Sequence, residues 1–328
     1  MRAGAIPHRS VPGARYPAFA ARLPALLREI RGDLIYASKP RPTSFGVGLL
    51  KRLGARRPLL LDIDDWELGF FYRSGAWGRL GRFLNFGNPN GLPWTWLMER
   101  LVPLASGLTV ASRFLEARFG GTLIPHVRDT DAWAPGRFDP AEARAALGVG
   151  ERRIVMFLGT ARAYKGIEDL VEAVRLLGRP DIVLALIGAG RRWADGPRVI
   201  ATDPIAFDDV PRYLSAADVV AVPQRATSDT VAQVPAKLFD AMALARPLVS
   251  TRVSMIPEIL DGCGLLIPPG DPKALADAIG WLLDNPAEAR ALGARGRVRC
   301  EALYSFPAAR AKLFPLVERV AAGAGQGA

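Results

Sequence analysis

Between Arg153 and Pro269 the sequence alternates short apolar runs with segments of helical period, and few architectures accept that pattern. RIVMFLG (153–159), IVLALIG (182–188), VVAVP (219–223), PLVST (247–251) and GLLIPP (264–269) are apolar at nearly every position, as strands covered on both faces are. A weaker strand is predicted near RVIAT (198–202). Between them, GIEDLVEAVRLLG (166–178) places Ile167, Leu170, Val171, Val174 and Leu177 at helical spacing, and VPRYLSAA (210–217) reads as a short helix. DPKALADAIGWLLD (271–284) offers Asp271 as a cap and Pro272 in its first turn. Strand and helix in this order predict an α/β fold with a doubly wound parallel sheet, whose ligands bind at the carboxyl ends of the strands.

The first half is less regular. DLIYAS (33–38), PLLLDID (58–64), LTVAS (108–112) and TLIP (122–125) predict four more strands and a second α/β unit. GFFYRSGAWGRLGRFLNFGNPNGLPWTWL (69–97) has no steady period; its aromatics read either as an excursion toward an acceptor or membrane, or as core and interdomain packing. DAWAPGRFDPAEAR (131–144) has the Pro and Gly content of a linker. The expected domains are 1–135, 136–306, and a C-terminal helix with a flexible tail over 307–328, the helix packing back on the first domain. With 328 residues, half of them hydrophobic, the chain can bury two cores.

Charge is uneven. Residues 1–60 hold twelve Arg and Lys against Glu29 and Asp33, a net +10 out of +11 for the whole chain. Such a face attracts anionic lipid or is simply solvated; no zinc-finger, RRM or basic-zipper pattern accompanies it, which argues against nucleic acid. The longest apolar runs fall short of the roughly 18 residues that span a bilayer, and the N-terminus lacks a signal-peptide core, so a cytoplasmic protein is expected, peripheral at the inner membrane face at most. Cys263 and Cys300 have no metal or redox spacing and read as reduced structural thiols.

Three stretches carry candidate chemistry. GTARAYKG (159–166) follows the first strand of the second half: Gly159 and Gly166 allow tight turns about Thr160, and Arg162 and Lys165 can reach a diphosphate. IGAG brings Gly188 and Gly190 to the next strand end. VPAKLFDAMALARPLVST (234–251) opens a helix at Pro235, so the amides of Ala236, Lys237 and Leu238 are expected to face outward as an anion seat. Lys237 and Asp240, three apart, share a helix face; they read either as phosphate and ribose contacts or as an ordinary surface pair. With only His8 and His126 and no ligand cluster, no metal is expected.

Taken jointly, these pieces resemble a known family. From Arg153 to Phe306 the run of strand, Lys165-Gly166, IGAG, AADVVAVP, PAKLFDAMALARPLVST, MIPEIL, GCGLLIPPGDPKALADAI and LYSFPAA is similar to the donor domain of GT-B glycosyltransferases, specifically retaining family 4 (group 1). LLLDIDDW and IPHVRDTDAW resemble its N-terminal strand and linker turn. The family's two glutamates eight apart are Ala232 and Asp240 here, which resembles a Pro-Ser-Lys-Leu-Phe-Glu subgroup. That resemblance implies Lys237 as the phosphate contact, Ser228 or Asp229 near the sugar, and Arg162 in place of the arginine whose position Thr160 holds. It further implies two Rossmann-like domains facing a cleft, the first without the family's usual first strand and Gly-rich loop.

The activity implied is transfer of a sugar from a nucleoside diphosphate sugar to a glycan, lipid-linked or small-molecule acceptor, with retention and no metal cofactor, as in polysaccharide biosynthesis. Arg162, Lys165, Lys237 and helix amides would stabilise the leaving group, and Asp64, or Asp65, would meet the transferred sugar or acceptor. Glu258 reads as a sugar contact or a loop anchor, and His126 as structural. Two alternatives stand beside this reading: a nucleotide-sugar-binding scaffold with impaired catalysis, and a GT-B sugar epimerase, which the scarcity of histidine disfavours.

Overall fold

The computed structural model describes residues 9–71, 81–194, 196, 198–228 and 230–325; Trp77 of the aromatic segment lies outside them. The first sheet contains β1 (Ile35–Ser38), β2 (Leu59–Ile63), β3 (Gly107–Val110) and β4 (Thr122–Leu123), in that order. β1 pairs with β2 in parallel, Ile35 opposite Leu59, and β3 with β4, Thr109 opposite Thr122. The second contains β5 (Arg153–Leu158), β6 (Ile182–Ile187), β7 (Val199–Ala201), β8 (Val219–Val222), β9 (Leu248–Thr251) and β10 (Leu265–Ile267). Its order is β10-β9-β8-β5-β6-β7, and its pairs are all parallel.

The near-continuous apolar runs have a direct cause in that sheet. Ile154, Met156 and Leu158 of β5 join one core cluster, whereas Val155 and Phe157 join another. Alternate residues thus face opposite sides, both covered by helices. Ala236–Ala243 and Val210–Ser215 pack on the first side; Ile167–Leu177 and Pro272–Asp284 pack on the second. Each fully buried Ile, Val or Phe side chain contributes about 1.5–3 kcal/mol, so the sheet's stability is spread over many positions.

Asp271 caps the Pro272–Asp284 helix as expected, its Oδ1 accepting from the Ala274 amide at 2.9 Å. Asp271→Ala is expected to lower stability by about 1 kcal/mol, seen as a lower urea midpoint with an unchanged slope.

By contact density the chain forms two compact units, one of residues 1–63, 67–108 and 317–328, the other of 64–66 and 109–316. The 135/136 junction expected from the sequence lies inside the second. Two helices depart from the sequence reading. No element is expected from the sequence before residue 33, yet Ala18–Glu29 is a twelve-residue helix with Pro24 inside it. Pro286–Leu303 is an eighteen-residue helix that buries Ala289, Leu292, Gly293, Gly296 and Cys300, so small residues make up most of its buried face. Cys263 and Cys300 are buried free thiols. Among the described residues, no helix is long and apolar enough to cross a membrane.

Candidate functional site

The order of the second sheet fixes where a ligand can sit. From β5 the chain runs outward through β6 and β7, then returns to the other side of β5 for β8, so the connections leave in opposite directions between β5 and β8. Crevices form at the carboxyl ends of strands at such a switch. A cavity of about 410 Å³ lies there, entirely within the second unit, with Gly159, Lys165, Gln224, Lys237 and Asp240 on its wall.

Backbone constraints shape this end of the sheet. Gly166 has φ +66°, and a Cβ there would fall 1.9 Å from the Pro223 carbonyl oxygen, so only glycine lets the β5 exit loop press against the end of β8. Gly159 has φ +113°, and a Cβ on it would lie 3.5 Å from Lys237 Nζ and 4.0 Å from Lys165 Nζ. Two ammonium groups therefore converge above Gly159. Lys165 Nζ donates to the Thr160 carbonyl at 2.9 Å and its hydroxyl at 3.1 Å. The Lys237 ammonium is buried and has no hydrogen-bond partner among the described residues. It rests 3.8 Å from the centroid of the Phe157 ring.

Burial and mutual repulsion set the charge state of these lysines. Desolvation, then the charge of Lys165, push Lys237 well below the usual lysine range, and nearby Asp240 offsets this only partly. Lys165 is lowered by burial and then by Arg162. A dianionic ligand placed between them would relieve both effects.

Asp240 does not pair with Lys237. Its Oδ1 accepts from Arg128 Nε. Arg128 also donates to the Val127 carbonyl at 2.7 Å and the Ala236 carbonyl at 3.4 Å. Burial raises the Asp240 carboxyl above its ordinary value, while Arg128, Lys237 and His126 pull it back. The surface-pair alternative is thus excluded: Asp240 is 5% exposed, and its partner comes from the IPHVRDTDAW turn.

The helix that begins after Pro235 has no side-chain cap. The expectation of three outward amides needs correction, because the Leu238 amide donates to the Pro235 carbonyl at 3.1 Å and the Leu238 side chain is fully buried. A 3₁₀-type bond closes the first turn, which leaves Ala236 and Lys237 at its open end.

Of the residues singled out from sequence, Asp64, Gly159, Lys165, Pro235, Ala236, Lys237 and Asp240 line the cavity, as do Asp65 and His126. Arg162, Thr160, Gly166, Gly188, Gly190, Ser228 and Leu238 do not. Arg162 and Ser228 are exposed. The amides of Gly188 and Gly190 are taken by Thr202, through its hydroxyl at 2.9 Å and its carbonyl at 2.8 Å. Asp229 lies outside the described residues. Glu258 forms an ion pair with Arg113, 2.9 Å from Nη2, as a loop anchor would.

Sequence reasoning missed Arg128, Tyr164, Phe207, Gln224 and Gln233, which also line the cavity. Phe207 is 60% exposed and packs against Trp133 with centroids 5.4 Å apart. Arg225 holds the loop in place: its guanidinium donates to both oxygens of Asp169 at 2.8 and 2.6 Å, and its amide donates to the Tyr164 carbonyl at 2.8 Å.

Residues 152–285 match the family model described as glycosyl transferases group 1. The chain is 28% identical over 305 residues to the GDP-mannose-dependent alpha-(1-6)-phosphatidylinositol monomannoside mannosyltransferase of Mycolicibacterium smegmatis, covering 86% of this chain and 75% of that protein. It is 29% identical over 187 residues to alpha-D-kanosaminyltransferase of Streptomyces kanamyceticus, covering 52% of this chain and 46% of that one. Among solved structures, sucrose-phosphate synthase from Thermosynechococcus elongatus superposes with a TM-score of 0.73 at 24% identity over 94% of this chain and 78% of its own. HepE from Anabaena, solved with UDP-glucose, gives 0.71 at 20% identity over 93% and 82%. With these matches and a parallel sheet open at its switch point, the chain is a glycosyltransferase of GT-B fold that carries a group 1 transferase domain over residues 152–285.

Proposed function

We propose that the chain is a retaining family 4 enzyme that moves a hexosyl group from a nucleoside diphosphate sugar to a glycan or lipid-linked acceptor. The observation that carries this reading is the meeting of Lys165 and the unpartnered Lys237 ammonium above Gly159, beside an uncapped helix start. Two cations and free amides suit a diphosphate, whose charge grows as the bond to the sugar breaks. In the proposed reaction the anomeric C1–O bond to the β-phosphate breaks, and the acceptor oxygen forms its bond to C1 on the same face. The acceptor proton passes to the departing phosphate oxygen. Asp64 is assigned to the transferred sugar or acceptor, and Asp240, held by Arg128, to the ribose hydroxyls. Charge neutralisation by side chains and amides leaves no step that requires a metal.

The names of the relatives suggest GDP-mannose as the first donor to try and a phosphatidylinositol-type lipid as an acceptor class. The basic N-terminal region is assigned to peripheral contact with the inner membrane face.

Calorimetry with GDP, UDP and their sugars tests the donor site: one nucleotide is expected to bind at micromolar to millimolar concentration, and binding by neither would overturn the reading. Anomeric NMR of the product separates retention from inversion. Nucleotide binding without transfer to any acceptor would favour the scaffold alternative.

A further inference from the structure

The first unit contains an apolar groove that the transferase reading does not use. It measures about 570 Å³ and lies among the helices Ala18–Glu29, Val47–Ala55 and Leu92–Arg100. Phe19, Leu49 and Met98 are buried along it, whereas Leu50, Leu53 and Leu104 stand exposed at 44%, 80% and 53%. Among the described residues, neither aspartate nor glutamate lines it, and the one charged lining residue is Arg52, whose guanidinium donates to the Leu104 carbonyl. Solvent-exposed leucines clustered around a groove of ligand size are uncommon on a surface with no partner.

The surrounding charge indicates the occupant. The helices and turns that form the groove carry Arg22, Arg28, Lys51, Arg56, Arg57 and Arg100 against Glu29, which pairs with Arg9, and the buried Glu99. Several are anchored by main-chain carbonyls, Lys51 to Leu27 at 2.8 Å and Arg57 to Ile30 at 3.1 Å. Arg100 stacks on Trp96, 3.4 Å from its ring centroid, a pairing suited to a membrane interface. A second copy of this chain would bring the same basic residues of these helices against this face, so self-association is opposed by charge. A molecule with a hydrocarbon tail and an anionic head meets both features at once.

We infer that the groove seats an acyl chain of an anionic membrane phospholipid while the surrounding arginines hold its phosphate. This rests on the peripheral membrane contact proposed above, and adds which residues make it and that the contact includes acyl chain as well as headgroup.

The test is flotation of the full chain with vesicles of phosphatidylglycerol and phosphatidylcholine, compared with phosphatidylcholine alone. Wild type is expected to bind the anionic vesicles, and Leu53→Asp with Leu104→Asp to bind them at least tenfold more weakly. Both leucines are exposed, so the core is left intact, and unchanged nucleotide binding by calorimetry checks the second unit separately. Vesicles with brominated acyl chains are expected to quench tryptophan emission in wild type and not in the double variant. Wild-type affinity in the double variant would overturn the acyl seat and leave the membrane contact standing. Failure of wild type to bind anionic vesicles would overturn both. A dimer in sedimentation that the double variant dissociates would give the groove to a second copy and overturn the lipid assignment.

Discussion

Replacing Arg128 by alanine is expected to destabilise the chain by about 3–5 kcal/mol, because it leaves a buried carboxylate without its partner. Asp240 accepts from Arg128 Nε and is only 5% exposed. Its carboxyl is already raised by burial, with Arg128 first among the groups that pull it back. Without the guanidinium the folded-state value rises further above the unfolded one. The folded protein then binds the extra proton between those two values, so its stability falls as pH increases through that window. The defect should therefore be smallest below that window and reach its full size above it. Asp240→Asn in the Arg128→Ala background should recover much of the loss, since the uncompensated charge is gone. Urea midpoints for the single and double variants at two pH values measure all of this. A loss that stayed the same with Asp240→Asn would mean that Arg128 acts through its bonds to the Val127 and Ala236 carbonyls.

The position of Arg128 also shows where sequence reading stops. Strands β5 to β10 and most of the helices between them are legible because burial on two faces writes continuous apolar runs, and burial on one writes a period near 3.6. The same periodicity put Lys237 and Asp240 on one helix face correctly. It carried no information about a partner 112 residues away in a turn that reads as linker. The Pro286–Leu303 helix was hidden for a different reason. A Cβ on Gly293 would come within 2.2 Å of the Ala245 carbonyl oxygen, so that position selects for the absence of a side chain, and Leu292 alone among the buried large residues of the helix is too little to write an apolar period. In Ala18–Glu29 the interior Pro24 argues locally against the helix that forms, and packing outweighs it. Gly166 reads as a turn glycine and Gly188 as a strand-end one, but their spacing does not reveal that the first is needed for the approach of Pro223 and the second has its amide taken by Thr202.

Lys237→Met is expected to strengthen folding while weakening ligand binding. A buried ammonium without a hydrogen-bond acceptor is unfavourable, and an unbranched apolar side chain of similar length removes that cost, about 1–2 kcal/mol. The pH dependence has a definite sign. Burial and Lys165 lower the lysine in the folded state, so between that lowered value and the ordinary value near 10.5 the unfolded chain holds more protons. Wild-type stability therefore rises with pH across the window, and the advantage of methionine is largest below it and fades toward its upper end. Binding should change in the opposite direction. Within that window a diphosphate seated between Lys237 and Lys165 favours the charged lysine, so wild type should take up protons on binding GDP or UDP there, and its affinity should fall as pH rises through it. Methionine should abolish the uptake and weaken binding about 10- to 100-fold, the loss of one charge-assisted contact of roughly 1.5–3 kcal/mol. Calorimetry in two buffers of different ionisation enthalpy reads the proton directly. If the variant bound as tightly as wild type with the same proton uptake, Lys237 would have no part in anion binding, and its burial above Phe157 would be a cost without a return.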